Sequence, residues 1–469
     1  MPTQCHLDKE WGEVDKTKQR VIVLRMTSPS PESIWSCFES IAPDSYFEQL
    51  IEQHQLRCRR RIYWLGVVVW LMIYQRLQGD ASLAAAVMAL WPGQRRKSQP
   101  ICSAATGAYC QARQRLPTLV ASQVSDHIFT ALRARAALPS AQEAPVFVID
   151  GSTLRLEHEP DLLQAYAPGR NRHGENHWPV LQLVVFHDAH TGLAVRPSFG
   201  PMYGPKRVSE QQLAEEALDR LPAEAIVLAD RNFGVFAFAY AVAHSKRRLV
   251  LRLTDSRARK IWGEALPAEA DRRAVTWKAS RWDRQAHPAL PKDAQIPGWV
   301  VACPPLPGGT SQTKIYLFTT LDQSPAELLQ LYQLRWNVET DLRSLKRTVG
   351  LHHLHSRDAA MVEKELVLAV AAYNLIRAVM LLAAERSQVA PRQLSFANVQ
   401  ALLVAALPGL QQANSQAEQE ELLEQLLEMA AKLRLSRRKR KRPTYPRAVW
   451  SRGSSFLSRY TIARKACPS

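Results

Sequence analysis

Residues 146–153, VFVIDGST, carry a continuous apolar run from Val146 to Ile149 that ends on Asp150 and is followed by Gly151, Ser152 and Thr153. A short apolar run without alternation is the mark of a strand buried on both faces. Working outward, 179–188 (PVLQLVVFHD) and 193–199 (LAVRPSF) read as two more strands, with the turn residues His190, Thr191 and Gly192 between them. Three consecutive strands imply an antiparallel meander. A helix over 209–221 follows, with Glu210 in its acidic first turn. Residues 225–230, AIVLAD, form a second buried strand that also ends on a carboxylate, Asp230, followed by Arg231, Asn232, Phe233 and Gly234. A helix over 236–244 and a strand over 248–253 (RLVLRL) close the series. Three strands, helix, strand, helix, strand is the order of a ribonuclease-H-like α/β fold. In that fold the first and fourth strands are central neighbours, which would bring Asp150 and Asp230 together.

Further along, residues 324–350 read SPAELLQLYQLRWNVETDLRSLKRTVG. Ser324 and Glu327 have the spacing of a capping box, Pro325 suits the first helical position, and Gly350 offers a stop. Tyr332, Arg335, Glu339 and Lys346 are spaced i, i+3, i+7 and i+14. On one regular helix they would share a stripe roughly 60° wide and about 21 Å long. A hydroxyl, a guanidinium, a carboxylate and an ammonium in one row suit a phosphodiester track with a metal ligand set into it. The competing reading is a solvated face with i,i+4 ion pairs.

The chain has 469 residues, 46% hydrophobic and 22% charged, which describes a folded protein of several domains. Its net charge of +18 favours a polyanionic partner, nucleic acid first. The seven cysteines show no CxxC pair and no disulfide spacing, so reduced thiols are expected. The first residues lack the pattern of a signal peptide. One apolar stretch, 62–73 (IYWLGVVVWLMI), is too short to cross a bilayer and is closely flanked by arginines, so a buried helix is expected.

These signals divide the chain into five parts. Residues 1–44 are poorly patterned. Residues 45–140 are helical, with Arg113 and Arg115 near the end of one helix, and would form a site-specific DNA-binding domain, the alternative being a helical appendage that supports the core. Residues 141–385 hold the α/β core, interrupted by a β-rich insertion over about 254–313 that contains Trp262, Trp277, Trp282 and Trp299. Residues 386–435 are C-terminal helices, one of them stopped by Pro408 and Gly409. Residues 436–469 are a basic tail. Thirteen lysines and arginines lie between Lys432 and Ser469, with no acid among them. His173 and His177 have a metal-like spacing but sit in a stretch rich in Gly, Asn and Pro, so a zinc site is not expected.

The spacing Tyr-x2-Arg-x3-Glu-x6-Lys resembles the signature of bacterial insertion-sequence DDE transposases of the Tyr-Arg-Glu-Lys class, and Trp336 follows Arg335 as it does in several members. Asp150-Gly151-Ser152 resembles that family's first motif and Asp230-Arg231-Asn232-Phe233 its second. Tyr373-Asn374-Leu375-Ile376-Arg377 looks like its following helix, and Tyr445-Pro446-Arg447 like its closing motif. The likeness spans roughly residues 45 to 450. It implies Asp150, Asp230 and Glu339 as catalytic metal ligands for two Mg²⁺ ions, replaceable by Mn²⁺. It implies Tyr332, Arg335, Trp336, Lys346 and Arg231 as DNA contacts. The activity implied is cut-and-paste transposition, with the enzyme binding the terminal inverted repeats as a homodimer. It would work in the bacterial cytoplasm at the nucleoid, on double-stranded DNA, with no membrane partner. Some relatives pass through a DNA hairpin that a tryptophan stabilises by stacking, for which Trp277, Trp282 and Trp299 are the candidates. The rivals are a transposase-derived DNA-binding protein without catalysis and a basic RNA-binding protein.

Overall fold

The computed structural model describes residue 38 and residues 41–435 apart from 80, 97–99, 137–143, 173, 305–313, 353, 355 and 414, and the first helix among these starts at Asp44. The segment up to residue 37, His173, the proline-rich 305–309, His353, His355 and the basic tail lie outside the described residues. All the elements below belong to the unit Met1–Arg434.

Six helices come first: α1 (Asp44–Gln53), α2 (Leu65–Leu77), α3 (Leu83–Met88), α4 (Trp91–Arg96), α5 (Gly107–Arg115) and α6 (Thr118–Arg135). The apolar stretch that imitates a membrane span is α2, buried inside the protein. Sequence reading placed no helix at α6. Its face of Val120, Val124, Ile128 and Leu132 is nevertheless buried at helical spacing.

The sheet is built from β1 (Val146–Arg155), then, after α7 (Pro160–Ala165), β2 (Pro168–Asn171), β3 (Gly174–Asp188) and β4 (Ser198–Pro201). Next come α8 (Glu210–Ala217), β5 (Ile226–Ala229), α9 (Phe236–His244) and β6 (Arg248–Leu253). The insertion contributes α10 (Asp255–Trp262), β7 (Asp271–Lys278), α11 (Arg281–Ala286) and β8 (Gln295–Ala302), and β9 (Tyr316–Thr319) follows. The strand order is β2-β3-β1-β5-β6-β9-β8-β7, with β4 on β3. β1 is antiparallel to β3 and parallel to β5, and β5 is parallel to β6. The insertion's strands continue this same sheet, because β9 joins β6 to β8.

Two local expectations are corrected. The third strand starts at Ser198 rather than 193, and the reason is competition for backbone groups. Asn374 takes both the N–H and the C=O of Ala194, each at 2.8 Å, leaving only a single bridge to His187. His177 sits on β3, not in a loop, where its ring stacks on His158 at 3.9 Å.

After β9 come α12 (Pro325–Gln333), α13 (Asn337–Arg343), α14 (Ala359–Arg386), α15 (Phe396–Gln412) and α16 (Gln416–Lys432). α14 is long and apolar enough to cross a membrane, yet it is packed inside the protein against α2, α6, α15 and α16. Pro408 does not stop α15, which runs on to Gln412. Leu407 and Leu410 are buried on either side of it, and their burial offsets the backbone bond that proline cannot make.

His187, near the end of β3, is fully enclosed, and both ring nitrogens lack hydrogen-bond partners among the described residues. Burial pushes its pKa down to about 4; nearby Asp341 opposes this shift, and Arg377 and Arg392 add to it. A base depressed in the folded state contributes stability that is complete above its unfolded pKa of about 6.5 and is lost as pH falls toward 4. His187→Leu should therefore remove about 2 kcal/mol of the stability loss between pH 7.5 and pH 5. Urea midpoints of variant and wild type at the two pH values measure this. Equal losses in both would show that His187 is not held neutral.

Candidate active site

Asp150 and Asp230 each stand two residues beyond the last parallel pair, Val148 and Leu228. Asp230 follows the end of β5, whereas β1 does not end on Asp150 as expected but runs on to Arg155, paired with β3. Each is anchored through one oxygen. Asp150 Oδ1 accepts from the Gly151 N–H at 2.8 Å, and Asp230 Oδ1 accepts from the Asn232 N–H at 2.8 Å. Burial pushes the Asp150 pKa up to about 6, with the charges of Asp230 and Glu339 adding to the rise and the Gly151 N–H and Arg335 opposing it. The charges of the three acidic residues singled out from sequence therefore act on one another at Asp150. Among the described residues, no three His, Cys, Asp or Glu side chains already converge as a metal-ligand set.

The loop after Asp230 is shaped by close packing. Phe233 is buried against Phe238, with ring centroids 5.5 Å apart. A Cβ on Gly234 would lie 2.2 Å from the Arg252 carbonyl oxygen, so only glycine lets this turn meet β6. Arg231 is exposed beside Asp230.

The capping box at Ser324 forms as expected. The helix that follows is not regular, however. A 3₁₀ turn spans Leu334–Trp336 and a π turn spans Ser344–Thr348. Constant 100° spacing therefore fails, and the four signature residues do not lie in one exposed stripe. Tyr332 and Arg335 are buried, with the guanidinium 5.9 Å from the tyrosine ring centre. Glu339 is exposed and lies 3.8 Å from Arg335. Trp336 is half exposed. Lys346, expected further along the DNA, turns back to the first motif instead. Its Nζ donates to Ser152 Oγ at 3.0 Å and to the Thr153 carbonyl at 3.1 Å, and burial lowers its pKa. Because α13 packs on β1, the strand carrying Asp150 and the helix carrying Glu339 are neighbours.

A buried lock holds this helix from behind. Asp341, two residues after Glu339, binds Arg377 of α14 and receives two bonds from Arg392, at 3.1 and 3.0 Å. Arg377 also donates to Tyr373 Oη at 2.9 Å, and that hydroxyl donates to the Gly192 carbonyl at 2.9 Å. A Cβ on Gly192, whose φ is +76°, would meet the guanidinium at 2.8 Å. The motif residues Tyr373, Asn374 and Arg377 thus grip the turn after β3.

Sequence reading did not assign Glu210 to the site. Burial, Asp150 and Asp230 raise its pKa, and Asn232 donates to its carboxylate. The linear pattern marks it only as an acid in a first helical turn.

The three candidate tryptophans differ in exposure. Trp277 packs edge-on against Phe318, and Arg272 covers Trp299 at 4.4 Å, whereas Trp282 is 75% exposed. Arg57, Arg59, Arg60 and Arg61 are exposed between α1 and α2, and all but Arg60 line a cavity of ≈ 700 Å³ together with Arg115.

Residues 141–375, which contain Asp150, Asp230 and Glu339, match the family model of the transposase DDE domain. Over 425 residues the chain is 25% identical to the transposase InsG for insertion sequence element IS4 of Escherichia coli (strain K12), covering 87% of this chain and 90% of that protein.

Proposed function

The chain belongs to the transposase DDE-domain family, and on that premise we propose that it is a cut-and-paste DNA transposase with Asp150, Asp230 and Glu339 as its catalytic carboxylates. One observation carries the reading. Two aspartates stand just beyond the parallel pairing of β1 with β5, and the charge of Glu339 reaches Asp150 as that of Asp230 does. We also read the core as ribonuclease-H-like and the signature as that of the Tyr-Arg-Glu-Lys class. The first point is supported by the order β4-β3-β1-β5-β6, antiparallel for three strands and then parallel.

The donor set suits hard divalent cations. Its ligands are all carboxylate oxygens, and a cation would offset the desolvation of Asp150 and the repulsion from Asp230 and Glu339. Asp150 would serve both Mg²⁺ ions, with Asp230 and Glu339 each completing one site. When bound, the ions supply activation of the attacking water or 3′-hydroxyl and stabilisation of the leaving oxygen. The protein's own part is positioning. The Gly151 and Asn232 amides fix the two aspartates. Arg335, buried beside Glu339, presents a planar donor pair to a phosphate. Arg231 and Trp336 are the exposed members of the DNA-contact set, while Tyr332 supports Arg335. Lys346 would exchange its Ser152 contact for phosphate when DNA enters.

The helical region 45–140 would bind the inverted repeats, supported by the exposed arginines 57 and 59–61 beside the α1–α2 cavity. The tail 436–469 would add sequence-independent affinity. The active species would be a homodimer on DNA in the bacterial cytoplasm. If a hairpin intermediate forms, Trp282 has the exposure needed to stack on a displaced base.

The test is excision in Mg²⁺ from a supercoiled plasmid that carries the coding sequence with its natural flanks. Release of a linear element with 3′-hydroxyl ends is expected, and Trp282→Ala should slow only steps after the first nick. Cutting of plasmids without the flanks at the same rate would overturn the end-specific reading.

A further inference from the structure

We propose that Glu210 supplies a fourth carboxylate to the cation site of Asp150, Asp230 and Glu339. This assignment rests on the transposase reading above and adds a residue to that site. The geometry starts with α8, whose first turn is fixed by reciprocal bonds between Ser209 and Gln212. The cap is thus complete without Glu210, and the carboxylate is available for another use. α8 packs on β3, β4 and α9, and its first turn lies over Gly151, next to Asp150.

Glu210 closes on that end from two directions. A Cβ on Gly151 would lie 2.2 Å from Glu210 Oε1 and 2.4 Å from its carboxyl carbon, so glycine next to Asp150 is what admits the carboxylate. Its other oxygen, Oε2, accepts from the Asn232 side chain, and the Asn232 backbone N–H in turn donates to Asp230 Oδ1. Asn232 therefore sets the spacing of Glu210 and Asp230. Asp150, Asp230 and Glu210 share one pattern. Each commits one oxygen to a hydrogen-bond donor in the first or second motif, and the second oxygen takes no hydrogen bond among the described residues.

Interaction with the helix dipole cannot explain the placement. A glutamate in the first turn gains from the dipole in any rotamer, including those pointing to solvent. Packing it instead over Gly151, toward two aspartates, adds like-charge repulsion that a divalent cation would reverse. For hard cations, affinity rises with the number of charged oxygen ligands.

The experiment titrates Mn²⁺ alone into the full chain and follows the free ion by electron paramagnetic resonance, with metal-free thermal melting in parallel. Glu210→Gln keeps the volume over Gly151 and an acceptor for Asn232, so it removes only the charge. It should weaken Mn²⁺ binding at least tenfold while leaving the metal-free melting temperature unchanged or higher. Glu210→Ala should lose the same affinity. Asp230→Asn is the control for the underlying reading. If it abolishes Mn²⁺ binding while both Glu210 variants bind as wild type does, the Glu210 assignment alone falls. If neither Asp230→Asn nor the Glu210 variants change binding, the cation site itself is misassigned and the proposal falls with it. A lower metal-free melting temperature with unchanged affinity would make Glu210 a packing residue and overturn the proposal.

Discussion

Asp230→Ala is expected to lower end cleavage in Mg²⁺ at least a thousandfold, about 4 kcal/mol of barrier, while end binding stays within a few-fold of wild type. The asymmetry follows from where Asp230 sits. It ends β5 beside Asp150 and takes one N–H from its own loop. It holds no ion pair with the rest of the fold among the described residues, so its loss leaves no buried partner stranded. The substitution should thus remove a metal ligand without unfolding the sheet, whose core residues Val227 and Leu228 are fully buried. Asp150→Ala and Glu339→Ala should fail to the same floor, and double variants should fall no further, because ligands of one site act as a unit. Ca²⁺ should support the DNA complex without cutting, since it tolerates irregular coordination. Cleavage is scored on the supercoiled donor and binding by gel shift on an end fragment. More than a tenth of wild-type cleavage from Asp230→Ala would remove it from the site. Full binding with no cleavage by the wild type would favour a DNA-binding protein derived from a transposase.

The second large effect is on stability. Asp341→Ala should destabilise the fold by about 3–5 kcal/mol, since it leaves Arg377 buried without its counter-charge. Asp341 is fully buried and Arg377 is 4% exposed, so water cannot take the place of the carboxylate. Burial alone would raise the Asp341 pKa, yet Arg377 and Arg392 hold it below the ordinary carboxylate range, which keeps the group ionised. Arg392 also ties the lock to the Asp188 and Ala189 carbonyls, so several elements loosen together. Asp341→Asn retains acceptors but not the charge and should fall between alanine and wild type. Urea denaturation with linear extrapolation gives the measurement. A loss under 1 kcal/mol for Asp341→Ala would show that the arginines find solvent when the aspartate goes.

Much of the core was legible before folding. Val146–Ile149 and Ile226–Ala229 announce themselves as strands because strands buried on both faces need uninterrupted apolar residues, and a carboxylate after each run marks where that burial stops. The helix Phe236–His244 and the strand Arg248–Leu253 carry the same strong local signals. The capping box at Ser324 was readable for a similar reason, since capping is satisfied within four residues. α6 was missed because its buried residues gain their burial from long-range partners, α14 chief among them, and its local pattern mixes Ser, Thr and Asp with the apolar positions.

By itself, the sequence determined the strand series, the positions of Asp150, Asp230 and Glu339 and the basic character of the chain. These depend on composition and on periodicities that act over a few residues. Only the tertiary structure decided that the signature helix changes winding at Leu334 and Ser344, which buries Tyr332 and Arg335 and turns Lys346 back onto Ser152. Only there, too, does Glu210 meet Gly151, fifty-nine positions away in the chain. Such contacts arise from how α8 and α13 pack on the sheet, and a packing angle between elements leaves no periodic trace in either one.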